Sequence, residues 1–180
     1  MRYREATLAD AEDIAALHAE SWRANYRGTL SDEYLDGPIF EERRALWTQR
    51  LSEPDANEWT LLAEDESGFV GFACAIGDHD QQLGTYLNNI HVRGAHQGHG
   101  IGRSLLISVA QWSLERHPEC GLYLGVFTTN ERAQRFYRRH GGTDTGGPDG
   151  AGEEGRATRT YTWDLDHLRA LAASTVPTGS

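Results

Sequence analysis

The stretch from Gln97 to Gly102 combines residue types and spacing that suit the binding of an anion. It reads Q-G-H-G-I-G and follows Gly94, at the point where an apolar strand pattern changes to a helical one. Glycine is costly in regular structure, so such a cluster indicates a turn that needs unusual backbone angles or close approach. A helix that starts after the turn presents unpaired N–H groups and the positive end of its dipole. The stretch therefore predicts a phosphate-binding turn, with a plain surface turn as the alternative.

Two familiar nucleotide-binding patterns do not fit this stretch. The Walker A pattern requires a lysine directly after its last glycine, whereas Gly102 is followed by Arg103 and Ser104. The dinucleotide pattern G-x-G-x-x-G fails from Gly98, because position 103 is arginine, and from Gly100, because position 105 is leucine. As they stand, the residues match Q-x-x-G-x-G.

A second segment reads N-E-R-A-Q-R-F-Y-R-R-H-G and begins at Asn130. Together the two segments resemble the GNAT superfamily of N-acetyltransferases, whose pyrophosphate loop has the form (R/Q)-x-x-G-x-(G/A) between a strand and a helix. The later family motif, N-x-x-A-x-x-(F/L)-Y-x-x-x-G, is matched by Asn130, Ala133, Phe136, Tyr137 and Gly141. The stretches GFVGFACAIG and ESWRANYRGTLSDEYLD are similar to the family's hairpin strand and acceptor-side helices.

The resemblance implies a binding site for acetyl-CoA and a reaction that needs no metal. Backbone N–H groups of the glycine turn would bind the pyrophosphate, because glycines allow close approach. The preceding strand would splay from its neighbour LYLGVF and pair with the pantetheine arm as an added strand does. The implied cofactor-binding residues are Ile90, His91, Val92, Gln97, Gly98, His99, Gly100, Ile101, Gly102, Arg103 and Asn130. A solvated helix position is the alternative for Arg103, and Asn130 also fits a helix N-cap.

Tyr137 matches the residue that serves the family as general acid. A phenol with a pKa of about 10 is protonated at neutral pH and can give its proton to a departing thiolate. Periodicity alone favours another interpretation, a core tyrosine on an amphipathic helix. The surrounding motif is what indicates catalysis.

The resemblance does not identify the general base. Many relatives carry a glutamate early in the strand TYLNNIHV, where this chain has Tyr86, and the asparagines that follow cannot act as a base. His91 is a candidate, although strand alternation also fits a buried structural histidine. The further candidates are His79, Asp80, Asp32, Glu33 and Asp36.

Trp22, Tyr26 and Tyr34 lie where the resemblance places the amine acceptor. Aromatic walls with carboxylates nearby suit a cationic amine, whereas the alternative is a set of core residues on amphipathic helices. The expected acceptor is a small-molecule amine or a peptide amine, and the sequence does not identify it further.

Three histidines, His91, His96 and His99, could suggest zinc. Their spacing matches neither a helix-face pair nor a structural zinc pattern, so no metal site is predicted.

Two other positions depart from the family pattern. Gly142 stands where relatives usually have an aromatic residue, which predicts different packing, and Gly94 stands where they often have proline.

Length and composition fit one globular domain. The 180 residues carry a formal net charge of -10, and this negative field disfavours nucleic acid as a partner. No apolar run is long enough to span a bilayer, and the N-terminus is too charged for a secretory signal, so we expect a cytoplasmic protein without a membrane partner.

The order of strand and helix patterns predicts an α/β fold, with a mixed, mostly antiparallel sheet of about seven strands flanked by helices. We expect a single GNAT domain over residues 1–168, with a glycine-rich loop over 144–160, and a polar tail over 169–180.

The sequence thus predicts an N-acetyltransferase that moves the acetyl group of acetyl-CoA to a primary amine by direct attack. A non-catalytic acyl-CoA sensor or interaction module is the alternative, because Asn88 and Asn89 suggest a lost base. A metal-dependent enzyme built on the histidines is the second alternative. Homodimers are common in the resembled family, and the apolar final strand leaves room for one.

Overall fold

The computed structural model of the chain describes residues 1–147 and 157–174. The strands are β1 (Arg2–Glu5), β2 (Glu58–Asp65), β3 (Gly68–Asp80), β4 (Gly84–Val92), β5 (Leu122–Phe127), β6 (Thr143–Gly146) and β7 (Thr158–Trp163). The α-helices are α1 (Ala11–Asn25), α2 (Asp32–Asp36), α3 (Ile39–Ser52), α4 (Ile101–Arg116), α5 (Glu131–Arg139) and α6 (Leu165–Ala172). Within the described residues, no helix is both long enough and apolar enough to cross a membrane.

The strands form one sheet in the order β1-β2-β3-β4-β5-β7-β6. β1 pairs antiparallel with β2, and β7 pairs antiparallel with both β5 and β6. β4 and β5 run parallel, with Thr85 opposite Leu122 and Tyr86 opposite Tyr123. This mixed, mostly antiparallel sheet confirms the predicted α/β fold class. The splay of β4 from β5 stays a prediction.

The described residues fall into two compact units, each assembled from separate stretches of the chain. The first unit contains Met1–Cys74 and Asn89–Leu105. The second contains Ala75–Asn88 together with residues 106–147 and 157–174. The first unit therefore includes the glycine turn and helices α1 to α3, whereas the second includes α5 and its tyrosine.

The core of the first unit forms where α1 and α3 pack on strand side chains. Ile14 and Leu17, which the periodicity places on one helical face, are buried. The Trp47 ring of α3 meets the Phe72 ring of β3 edge-to-face at 5.2 Å between centroids. The buried cluster contains Ala11, Ile14, Ala15, Leu17, Trp47, Leu62, Phe72 and Cys74.

The core of the second unit is centred on β5 and β7. Trp163 is 1% exposed, and its Nε1–H donates a hydrogen bond of 2.9 Å to the carbonyl of His140. A Cβ atom at Gly142 would lie only 2.8 Å from Cζ2 of this indole. The Trp163 ring therefore occupies the space that a side chain at Gly142 would need, and a difference in packing from the relatives stays a prediction.

The predicted glycine-rich loop over residues 144–160 was wrong at both ends. Thr143–Gly146 form β6, and β7 begins at Thr158. Asp144 lies opposite Tyr161 in the ladder and accepts a 2.9 Å hydrogen bond from Arg159. Strand pairing therefore overrides the local turn signals. Residues 148–156 lie outside the described part of the chain.

The predicted tail from residue 169 was also wrong at its beginning. Helix α6 continues through Ala172, because Leu168 and Leu171 are both buried. Asp164 caps the helix, since its side chain accepts a 2.9 Å hydrogen bond from the backbone N–H of His167. The rest of the predicted tail, from residue 175 onward, lies outside the described residues.

Candidate functional site

The Q-x-x-G-x-G stretch forms the turn between β4 and α4. Gly98 and Gly100 have φ values of +85° and +84°, which side-chain-bearing residues adopt only at a cost. A Cβ atom built on either glycine would meet no other described atom within 4 Å. The turn therefore depends on glycine for its backbone angles, and the space beside it is open to a ligand.

Neighbouring groups hold this turn in place. The Gln97 side chain donates a 2.9 Å hydrogen bond from Nε2 to the carbonyl of Val92, so it ties the turn to the end of β4. The N–H of Ser104 donates to the carbonyl of Gly100 at 3.0 Å. The N–H groups of Ile101 and Gly102 belong to the first helical turn, where the helix supplies no carbonyl partner. The backbone thus offers donors at the place where the sequence predicts a pyrophosphate.

The remaining cofactor residues of the first unit lie beside this turn in the chain. Ile90, His91 and Val92 are half-buried at the end of β4, His99 is exposed in the turn, and Arg103 is half-buried on α4. Their contacts with a cofactor stay predictions.

Close backbone contact fixes the end of β4 within the first unit. A Cβ atom at Gly71 of β3 would lie 2.8 Å from the carbonyl oxygen of His91, so only glycine permits this approach. The N–H of Arg93 donates to the carbonyl of Val70 at 2.8 Å, and its Nε donates to the carbonyl of Phe69 at 2.8 Å. The strand that should pair with pantetheine is therefore well anchored on its β3 side.

Helix α5 carries the second motif in the other unit. Asn130 caps the helix, since its Oδ1 accepts a 3.1 Å hydrogen bond from the N–H of Ala133, which confirms the N-cap interpretation. Tyr137 is 8% exposed and its ring packs against Tyr161 and Trp163 at centroid distances of 5.8 and 6.1 Å. Tyr137 therefore has the packing of a core tyrosine, and its role as general acid stays a prediction.

The three aromatic residues of the predicted acceptor side are half-buried in the first unit. Trp22 and Tyr26 meet edge-to-face at 5.3 Å between centroids. The Arg43 guanidinium lies over the Trp22 ring, 4.7 Å from its centroid. Tyr34 donates a 2.6 Å hydrogen bond from its hydroxyl to Glu42. Trp22 and Tyr26 are therefore in contact with each other, whereas Tyr34 contacts a carboxylate of α3.

A pair of neutral histidines lies next to Trp22. His18 and His91 have ring centroids 5.0 Å apart, and His18 is 2% exposed. Burial lowers the pKa of His18 to about 2, and the neighbouring His91, Arg43 and Arg50 lower it further. Burial also lowers the pKa of His91 to about 4, and its Nδ1 lies 2.7 Å from the Ser21 hydroxyl. Both rings are therefore uncharged at neutral pH.

This histidine pair makes stability depend on pH. Unfolded histidines take up a proton below about pH 6.5, so the unfolded chain binds more protons than the folded one. The free energy of unfolding should fall from about pH 6.5 toward 4, by up to about 1.4 kcal/mol per pH unit for each histidine. Urea unfolding at pH 7 and pH 5 measures the effect. His91→Gln should reduce the slope; equal stability at both pH values would contradict the prediction.

Three of the four carboxylates that the sequence offered as bases already accept hydrogen bonds. Asp32 and Asp36 both accept hydrogen bonds from Arg27, and this guanidinium lowers the pKa of Asp36. Hydrogen bonds from backbone N–H groups lower the pKa of Asp80, and the bond from Leu83 has the largest effect. The carboxylates of Asp36 and Asp80 are therefore ionised at neutral pH and already have hydrogen-bond donors. Glu33 is exposed on α2.

His79 belongs to an aromatic group in the second unit. Its Nδ1 hydrogen-bonds the Tyr123 hydroxyl, and its ring stacks on Tyr86 at 4.8 Å between centroids. Burial raises the pKa of Tyr123 to about 12. Tyr86, which replaces the family's glutamate, therefore contributes an aromatic face.

Comparison with known proteins decides the family. The family model described as "Acetyltransferase (GNAT) family" matches residues 12–142. The chain belongs to the GNAT family of acetyltransferases. One relative, the "Uncharacterized N-acetyltransferase YuaI" of Bacillus subtilis, is 32% identical over 130 residues, which cover 71% of this chain and 72% of YuaI. These matches give no support to the non-catalytic alternative.

Solved GNAT structures share the fold at low sequence identity. The PaiA N-acetyltransferase of Thermoplasma acidophilum, in complex with coenzyme A, superimposes with a TM-score of 0.72 and 19% identity over 90% of this chain and 98% of PaiA. A variant of spermidine N-acetyltransferase from Vibrio cholerae has a TM-score of 0.65 and 20% identity, over 93% of this chain and 97% of that protein.

Sequence patterns missed several polar residues of this GNAT chain. His18 and Ser21 continue the buried face of α1, and Arg43 lies one turn from both Ile39 and Trp47, which are fully buried. Polar residues at buried helical spacing were the available signal. In the part of the chain that the structure describes, no three His, Cys, Asp or Glu side chains are grouped so as to hold a metal ion.

Proposed function

We propose that this GNAT protein transfers the acetyl group of acetyl-CoA to a primary amine. The observation that carries the proposal is the turn between β4 and α4, whose two positive-φ glycines and first-turn N–H groups fit a pyrophosphate. Membership of the acetyltransferase family and the coenzyme A complex of PaiA support acetyl-CoA as the donor.

The chemistry we propose is direct attack without an acyl-enzyme. The amine nitrogen forms a bond to the acetyl carbonyl carbon, and the carbon–sulfur bond breaks. Tyr137 gives its phenolic proton to the departing thiolate, and the nitrogen loses one proton to a base. The products are an N-acetylated acceptor and coenzyme A.

Among the base candidates, we assign this proton transfer to His91. Its ring is neutral at pH 7 because burial lowers its pKa to about 4, and its Nδ1 is oriented by the Ser21 hydroxyl at 2.7 Å. The carboxylates of Asp36 and Asp80 already accept hydrogen bonds, from Arg27 and from the backbone N–H groups of Gln82 and Leu83 respectively.

An acceptor screen tests the proposed function. The protein is incubated with acetyl-CoA and a panel of amines that contains polyamines, amino sugars, amino acids and peptides. We expect acceptor-dependent release of coenzyme A, measured as free thiol, together with an acetylated acceptor in the mass spectrum. Tight coenzyme A binding without release on any acceptor would contradict transfer and favour the sensor alternative.

A further inference from the structure

Six polar or aromatic side chains from three elements of the first unit meet in one group. The His18 ring lies 5.5 Å from Trp22 and 5.0 Å from His91, between centroids. The Arg43 guanidinium covers Trp22. We call this group the Arg43 cluster, and its members are His18, Ser21, Trp22, Arg43, Asn89 and His91.

Arg43 has a buried donor that no described group satisfies. Its Nε atom is inaccessible to solvent and has no hydrogen-bond partner among the described residues. The described carboxylate that pairs with the guanidinium is Glu42, 3.7 Å from another of its nitrogens. Glu42 is 45% exposed and also accepts the Tyr34 hydroxyl hydrogen bond. A buried guanidinium N–H without an acceptor is costly in a folded protein, so it fits a ligand that supplies the acceptor.

Asn89 also has one amide end without a partner. Trp47 can only donate, so His18 Nδ1 accepts its hydrogen bond and a neutral His18 ring carries its proton on Nε2. This N–H requires an acceptor, and the Asn89 amide lies 3.4 Å from it. In the structure Nδ2 faces His18, and the buried Oδ1 has no partner among the described residues. Exchanging the amide oxygen and nitrogen gives His18 its acceptor and leaves the NH₂ group as the unsatisfied end, which is a second donor.

The charge of the Arg43 cluster is positive. Both histidines are neutral at pH 7, so Arg43 is the charged member of the cluster, and Arg50 is a second cation that lowers the pKa of His18. Of the acidic residues of α2, Asp32 and Asp36 bind Arg27, and Glu33 is exposed to solvent. This field favours a ligand anion, and it lowers the pKa of a bound ammonium, which must lose a proton before it can attack.

We propose that Arg43 binds a carboxylate of the amine acceptor, so that the acceptor is an amino acid or a similar amino carboxylate. This inference rests on the proposed acetyl transfer. A planar guanidinium matches a carboxylate in charge and in the geometry of two parallel hydrogen bonds. One arginine beside neutral rings matches a single negative charge better than the double charge of a phosphate.

The test compares L-amino acids with their carboxamides as acceptors. A carboxamide keeps the shape of the acceptor and removes its negative charge. At saturating acetyl-CoA, we expect at least one amino acid to have a kcat/KM about tenfold or more above that of its carboxamide. Carboxamides that react equally well, or turnover confined to polyamines or to phosphorylated amino sugars, would overturn the assignment.

Variants of adjacent arginines on α3 provide the matched control. Arg43→Gln should abolish the preference for the carboxylate and raise the amino-acid KM about tenfold or more, while the KM for acetyl-CoA stays unchanged. Arg43→Lys, which keeps the charge, should retain part of the preference. Arg44→Gln removes a cation that is 54% exposed and paired with Glu41, and it should behave like the unmodified protein. A full preference retained in Arg43→Gln would refute the proposal.

Calorimetry separates this inference from the proposed function. Binding of an amino acid in the presence of coenzyme A requires no turnover. Binding that Arg43→Gln abolishes, without transfer to any acceptor, would support the carboxylate site and refute acetyl transfer. Transfer to amines, without binding or turnover of any amino carboxylate, would refute the carboxylate site and leave acetyl transfer standing.

Discussion

Replacing Tyr137 with phenylalanine is expected to lower kcat about 100-fold or more, because the departing thiolate then has no positioned acid. Coenzyme A affinity should change by less than about threefold, since only a hydroxyl is removed. The ring keeps its packing against Tyr161 and Trp163, so the fold should be retained. Steady-state kinetics with the best acceptor from the screen, and calorimetry with coenzyme A, measure the two quantities.

Tyr161→Phe is the matched control for this experiment. It removes a hydroxyl from the neighbouring ring in the same unit, where the hydroxyl accepts a 3.0 Å hydrogen bond from Arg138 and donates a longer one, of 3.5 Å, to Asp144. Stability should fall by about 1–2 kcal/mol, as for the loss of these hydrogen bonds, but kcat should stay within about twofold. If Tyr137→Phe also kept its turnover, Tyr137 would be a core tyrosine alone and the general-acid assignment would be rejected.

The glycine turn between β4 and α4 could be predicted because its signal is local. Glycines at positions 98 and 100 are required by φ values of +85° and +84°, and the change from strand to helix is visible in the hydrophobic pattern. Asn130 was equally accessible, since an N-cap is defined by residues within one helical turn. Such features depend on short stretches of chain, which the sequence displays directly.

Features that depend on distant pairing were not accessible in this way. β6 exists because residues Thr143–Gly146 pair with β7, although Gly146 and Gly147 give a strong turn signal. The same holds for Gly142. A side chain at this position would collide with the Trp163 ring, which is distant in the sequence. The sequence contains both residues but does not show that they lie together.

The predicted acceptor side was the part least accessible from the sequence, because the properties of its residues arise from burial. His91 was a base candidate from its type alone, and its lowered pKa follows from the surroundings that α1 and β3 provide. Arg43 was missed, although a cation between the buried residues Ile39 and Trp47 breaks the apolar pattern of α3. A polar residue on a buried helical face is therefore worth examining as a ligand contact.

Gly100→Val is expected to weaken coenzyme A binding about tenfold or more, with little effect on the chemistry once the cofactor is bound. Gly100 has a φ of +84°, where a β-branched residue is strained, so the turn would shift. A valine side chain would also enter the open space beside the turn, where no other described atom lies within 4 Å, and would obstruct the pyrophosphate. Calorimetry with coenzyme A measures the affinity, and kcat at saturating acetyl-CoA measures the chemistry.

Gly68→Val separates obstruction of the ligand from backbone strain. Gly68 also lies in the first unit, has a φ of +101°, and has open space beside its Cα atom, but it begins β3 after the β2–β3 turn. The two variants should lose similar stability, about 1–2 kcal/mol, because both place a β-branched residue at positive φ. Only Gly100→Val should lose coenzyme A affinity. Equal loss of affinity in both would mean that strain in the first unit weakens binding, and unchanged affinity in Gly100→Val would remove the turn from the cofactor site.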